Sequence, residues 1–376
     1  MKVYFDARMI DHPGIGRYIR CLLPFIAKDK EIDLHILGNR EKIKRFLGID
    51  KNVVDFDYPI YSMQEQIGFL KIRKIVGNNI LHVPHYNIPV LAKFNLVATV
   101  HDLIHIAYPE GASGRLAPVY MRFMMKRILK SAKAVICVSQ ATKSEIENRF
   151  HQKKINMEVI YEGVDEVFGR IEDKNYLDQI RKKYNLPDKF LLYVGSIRRH
   201  KNIKVLLNAF GDFRRKNAGV SLVMVGRSSQ GIDTIGEGVI YLGELASDKE
   251  LAAIYNLASC LFNLSLYEGF GLTILEAQKC GLPIVCSDIP VHREIGGKGA
   301  LFAEPSYVDQ VYGNLYNVMF NSETRRTLIS DGLENVKKFD WAATARQTLD
   351  LYRKIGNESC DSSRLAAGHA GRREGP

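Results

Sequence analysis

The chain reads as an α/β protein of two doubly wound, Rossmann-like domains facing across a cleft, and three observations predict this. Short apolar, β-branched runs alternate with longer helical patterns along the chain. The runs are apolar throughout and do not alternate with polar residues, as expected of strands covered on both faces. At 376 residues, 46% of them apolar and 25% charged, the chain exceeds one ordinary core and suits two domains. Disordered and fibrous classes are thereby excluded.

The first half offers strands at Val3–Asp6, Leu34–Leu37, Val53–Phe56, Ile80–Val83, Leu96–Val100, Val135–Val138 and Val159–Tyr161. Because Met1-Lys-Val-Tyr-Phe-Asp6 reads as a strand, it is not taken for a signal peptide. The pattern weakens between Phe168 and Lys189, a polar stretch closing with Leu186-Pro-Asp188, where the domain link is expected. A second unit then offers Phe190–Val194, Ser221–Val225, Val239–Leu242, Cys260–Leu264, Ile284–Cys286 and Ala300–Phe302. The expected domains are residues 1–168 and 188–340. A helix over 341–356 should cross back to the first domain, and the Ser-, Gly-, Ala- and Arg-rich tail 357–376 should be disordered. Ligands of such folds bind at the carboxyl ends of the strands.

Charge is uneven. Residues 1–170 carry 26 Lys/Arg against 18 Asp/Glu, and the rest 27 against 24. Arg115–Lys133 holds six basic residues and no acid, with Arg122, Lys126 and Lys130 on one helical face. A basic amphipathic helix suits an anionic bilayer surface, and equally an ordinary helix with its polar side in water. No nucleic-acid-binding motif accompanies the charge, and no apolar run is long enough to span a membrane. The six cysteines are scattered, without a C-x-x-C pair, and read as buried, reduced thiols of a cytoplasmic protein.

The chemistry concentrates in Glu268-Gly-Phe-Gly-Leu-Thr-Ile-Leu-Glu276, between a strand and a helix. Gly269 and Gly271 let the backbone approach a ligand closely. Free amides at the helix start suit a phosphate, and the two carboxylates can accept from sugar and ribose hydroxyls. Taken alone, a Gly-x-Gly turn before a helix is common, and an acidic first turn also stabilises the helix dipole.

With Ala277, Gly281 and Pro283 following it, this stretch resembles the signature of glycosyltransferase family 4, the retaining group with a GT-B fold. Four more segments match in order: Pro13-Gly14-Ile-Gly16-Arg17, His101-Asp102-Leu, Ala134-Val-Ile-Cys-Val-Ser139, and Tyr193-Val-Gly195-Ser-Ile-Arg198-Arg199-His-Lys201. The resemblance implies that Glu268 and His101 act at the transferred sugar, and that Glu276 binds the ribose. It implies further that Gly14, Gly16, Lys201, Gly269, Phe270, Gly271 and Leu272 bind the donor, with Arg198 or Arg199 replacing the arginine that many members carry where Ser196 stands. Arg17 on a solvated face of a plain strand–helix turn is the alternative for the Gly14 loop.

The implied reaction is retaining transfer of a hexose to a saccharide or lipid-linked acceptor in envelope polysaccharide synthesis, at or near the inner face of the membrane. The whole-chain pattern is similar to the mannosyltransferase-like branch, which makes GDP-mannose the first donor and a UDP-glucose-type donor the second. A nucleotide-sugar epimerase and a non-catalytic anionic-surface module are the rival classes. Asp55-Phe-Asp57 reads as an outward strand pair, not a metal site, and no metal or further cofactor is expected. Of the other histidines, His82 and His85 are poorer candidates than His101, with His85 a candidate for the acceptor side.

Overall fold

The computed structural model describes residues 1–111, 114–151, 155–228 and 236–370. Among these, the strands form two all-parallel sheets. The first, in the order β3-β2-β1-β4-β5-β6-β7, comprises β1 (Lys2–Asp6), β2 (Asp33–Gly38), β3 (Val53–Asp55), β4 (Ile80–Val83), β5 (Asn95–Val100), β6 (Ala134–Cys137) and β7 (Met157–Val159). The second, in the order β10-β9-β8-β11-β12-β13, comprises β8 (Phe190–Val194), β9 (Ser221–Val225), β10 (Val239–Gly243), β11 (Cys260–Asn263), β12 (Ile284–Ser287) and β13 (Ala300–Ala303). Each expected run overlaps one strand. β7 lies two residues earlier than expected, and it ends before Tyr161, whose carbonyl accepts from Thr344 instead of from a strand.

Helices cover both faces of each sheet, so β4, β6, β11 and β12 are buried along their whole length, which is why their sequences carry no polar alternation. Strand order reverses between β1 and β4 and again between β8 and β11. These two switch points open crevices at the carboxyl ends of the strands.

The domains also touch through polar contacts. Glu294 accepts from the backbone N–H of Gln140 (2.6 Å) and Ala141 (2.9 Å), satisfying the free amides at the start of the first domain's helix Gln140–Phe150. The Gly269 carbonyl accepts from Ser139 (2.8 Å) and Thr142 (3.1 Å).

The closing helix begins at Trp341 and packs Trp341, Ala345, Leu349, Tyr352 and Ile355 into the first domain's core beside Tyr18 and Leu22. Its Tyr352 hydroxyl meets His82 Nδ1, while His82 Nε2 meets Thr99 Oγ1 at 2.8 Å. The helix runs to Ala370, past the residue-357 start expected for a disordered tail. Leu365, Ala366 and Ala367 are good helix formers, and no proline interrupts the stretch. Residues 371–376 lie outside the described residues. No described helix is long and apolar enough to cross a membrane. Asp55 and Asp57 both face solvent.

Candidate active site

A cavity of about 350 Å³ lies between the domains, at the carboxyl ends of the switch-point strands. From the first domain come His12, Gly14, His85, Tyr86, His101, Asp102 and Glu162; from the second come Gly195, Lys201 and the run Glu268–Thr273. A groove of about 620 Å³ between the helix Gln140–Phe150 and the segment 289–294 lies alongside, and Glu268 lines both spaces.

Glu268 follows β11 in the turn that leads to the helix Leu272–Lys279. Lys201 donates to its Oε1 at 2.5 Å, and little of either side chain reaches solvent. Burial works to raise the Glu268 carboxyl, but Lys201, His292 and Ser265 outweigh it and hold the group below its ordinary range. Glu268 is therefore an anion facing the cavity. At the helix start, Gly271 has φ +99° and no side chain caps the first turn, leaving positive dipole and free N–H groups beside Lys201.

Gly269 answers a different need. A Cβ there would lie 1.9 Å from the His101 carbonyl oxygen, so the two domains meet backbone to backbone at this point. His101 itself donates from Nδ1 to Glu162 at 2.9 Å and packs edge-on against Tyr18. A carboxylate only accepts, so Nδ1 carries a proton, and in the neutral imidazole Nε2 is then the acceptor. That Nε2 is buried without a protein partner, on a residue that lines the cavity.

One turn beyond Thr273, Glu276 is buried on the same helix. Tyr255 donates to Oε2 at 2.8 Å, and Arg17, reaching over from the first domain, pairs with Oε1. Burial pushes this carboxyl up, against Arg17 and Tyr255, which favour the charged form. The site therefore offers an anion and a cation at the centre, an uncapped helix start, and a second carboxylate one turn away. This arrangement suits a phosphorylated ligand flanked by hydroxyl-rich groups.

Comparison with known proteins decides the family. Residues 177–334 match the glycosyl transferases group 1, and residues 14–168 match Glycosyltransferase Family 4. The chain belongs to this glycosyltransferase family. O-antigen chain mannosyltransferase B of Escherichia coli is 26% identical over 395 residues, covering 94% of this chain and all of that one. O-antigen chain mannosyltransferase RfbU of Salmonella typhimurium is 30% identical over 241 residues, 62% of each chain. Among solved structures, Anabaena Alr3699/HepE in complex with UDP-glucose superimposes with a TM-score of 0.75 at 15% identity, covering 94% of this chain and 100% of that one. The fold of this glycosyltransferase is accordingly GT-B.

The glycosyltransferase brings Gly14, His101, Lys201, Glu268, Gly269, Phe270, Gly271 and Leu272 together around the cavity; Glu276, one turn along the helix, is not among the residues lining it. Gly16 stands outside it. A Cβ at Gly16 would meet the Ile10 and Met9 carbonyls at 2.5 and 2.8 Å, so this glycine serves packing. The structure does not bring Arg198 or Arg199 into the cavity either. Both are exposed, and Arg199 pairs with Glu110 at 2.9 Å.

Residues that motif reading missed are His12, Glu162 and Arg17. Glu162 lies just past the end of β7, where the strand-end rule had already placed His101 relative to β5, so that signal was available. Nothing in the sequence pairs Arg17 with a carboxylate 259 positions away. His82 is buried structure, whereas His85 lines the cavity on the first-domain side, held by Tyr61 at 3.2 Å.

Proposed function

We propose that this glycosyltransferase moves mannose from GDP-mannose to a saccharide or lipid-linked acceptor in envelope polysaccharide synthesis, with retention at the anomeric carbon and without an obligatory metal. The observation that carries this reading is the buried Lys201–Glu268 pair at the uncapped helix start, with Glu276 one turn below. The diphosphate would sit on the helix amides and Lys201, where charge that grows on the leaving group meets fixed positive ends. Glu268 would hold the sugar hydroxyls, His101 Nε2 would accept from one of them, and Glu276 would take the ribose. With Glu268 bound to Lys201, its work is positioning and electrostatics, not covalent attack. The mannosyl donor is supported by the O-antigen mannosyltransferases among the relatives.

A UDP-glucose-type donor is the second reading, favoured by the likeness to a structure holding UDP-glucose. Purified protein given GDP-mannose or UDP-glucose, EDTA and a mannose-terminated lipid-linked acceptor decides between them. GDP release with glycosylated product is expected, UDP release alone supports the second reading, and neither defeats both.

The basic helix Ala117–Ser131 adds a membrane reading. Leu116, Val119 and Phe123 are 77%, 63% and 51% exposed, beside the exposed Arg122, Lys126 and Lys130. Apolar side chains rimmed by cations suit an anionic inner leaflet. Flotation with phosphatidylglycerol vesicles but not with neutral ones is expected, and Leu116→Glu with Phe123→Glu should abolish it. Equal binding to neutral vesicles would count against this placement.

A further inference from the structure

Arg17 belongs to the first domain, on the helix Pro13–Ile26, yet its guanidinium reaches across to second-domain groups. One nitrogen pairs with Glu276 Oε1, a second with Asp248 Oδ1 at 2.6 Å, and the guanidinium lies over the Phe168 ring, 5.4 Å from its centroid. The helix start that carries it is fixed, because Gly16 packs directly on the Ile10 and Met9 carbonyls.

Each oxygen of Glu276 is thus used once, Oε1 by Arg17 and Oε2 by Tyr255. A carboxylate oxygen has two acceptor positions, so both keep one free. The carboxylate is pinned in one orientation with acceptor capacity to spare. Arginine is suited to this work, since its rigid fork fixes direction as well as charge. Meanwhile the position after Gly195, where many family members carry an arginine, is Ser196, and Arg198 and Arg199 are exposed outside the cavity.

We propose that Arg17 is a donor-positioning residue. From the first domain it orients the Glu276 carboxylate for the ribose, so that nucleotide recognition is complete only when the domains are closed on each other. This rests on the reading of Glu276 as the ribose acceptor. The groups facing Glu276 are Arg17 from the first domain, Tyr255 and Asp248 from the helix Asp248–Leu257, Cys280 just past the end of its own helix, and Asp165 from the segment after β7. Arg17 is the cation of that set. Without it, two neighbouring acids and burial would favour the protonated form of Glu276, which holds a ribose diol less well.

The test is calorimetric titration of the wild type, Arg17→Ala and Arg17→Lys with GDP, UDP and the 2′,3′-dideoxy form of whichever binds, from pH 5.5 to 8.5. Arg17→Ala should weaken the ribonucleotide about tenfold or more, the scale of a hydrogen bond to a charged group, and leave the dideoxy form unchanged. The acid limb of ribonucleotide binding should move up by about 1–3 pH units, as for a carboxylate losing an adjacent cation. Arg17→Lys, which keeps a charge on the carboxylate, should recover part of the affinity. Equal loss for both nucleotides, or no loss at all, overturns the proposal. Failure of the wild type to bind either GDP or UDP overturns instead the donor-site reading beneath it.

Discussion

Gly269→Ala isolates the contact between the domains. Gly269 does not need a left-handed backbone, since its φ is not positive, so alanine meets no conformational penalty. The new Cβ would instead lie 1.9 Å from the His101 carbonyl oxygen and 2.9 Å from the Asp102 Cβ, where ordinary contact begins near 3.4 Å. The His101 segment must therefore retreat by about 1.5 Å. Inside a core, overpacking of this kind costs about 1–3 kcal/mol. Between two domains it is relieved by opening the cleft, so thermal unfolding should change by under ~1 kcal/mol. His101 and Asp102 would meanwhile draw back from Glu268, and a misplacement of about 1 Å is enough to cost on the order of 100-fold in rate. The assay is nucleoside diphosphate release with donor and acceptor, alongside thermal unfolding by circular dichroism. Gly271→Ala is the contrast. With φ at +99° and nothing nearer than 3.7 Å, it should cost about 1–2 kcal/mol of stability through the backbone alone. A wild-type rate in Gly269→Ala would show that catalysis does not need this contact between the domains.

Three further outcomes follow from the same geometry. Lys201→Met leaves the buried Glu268 carboxylate unpaired, so the rate should drop about 10²–10³-fold and the acid limb of the pH–rate profile should move to higher pH; an unmoved limb would detach Lys201 from Glu268. Glu162→Gln removes control of the His101 tautomer and should cost about tenfold in kcat, the scale of one misdirected hydrogen bond to the sugar, with the fold intact by circular dichroism. His82 is held neutral by burial, its pKa pushed down to about 3 from the ordinary 6.5. The unfolded chain therefore takes up a proton below pH 6.5 that the folded one refuses, so this contribution to stability is complete above pH 6.5 and is lost as pH falls towards 3. At pH 5.5 the loss is about 1.4 kcal/mol, read as a lower urea midpoint that His82→Gln should make less pH-dependent.

Much of the fold was legible because parallel strands buried on both faces leave unbroken apolar runs. Leu191-Leu-Tyr-Val and Cys260-Leu-Phe are examples, and both lie at the crossover of the second sheet. The Glu268–Glu276 turn was legible because its residues are close in sequence and their spacing alone sets one helical turn between the carboxylates. What escaped depends on contacts over long sequence separations. Arg199 reads as a diphosphate cation until Glu110 takes it at the rim. Arg17 reads as solvated until the second domain closes over it with Glu276 and Asp248. The helix after Trp341 outran its expected end because low-complexity composition speaks to packing, while helix propensity concerns the backbone alone.

A crystal structure with GDP-mannose or its hydrolysis-resistant analogue would show whether the donor lies between Glu276 and Lys201 at the start of the helix Leu272–Lys279. The ribose is expected on Glu276, the diphosphate on the Leu272 and Thr273 amides and Lys201, and the hexose between Glu268 and His101. Nucleotide bound in the groove lined by Gln140 and Glu294, or sugar density away from Glu268, would contradict this placement.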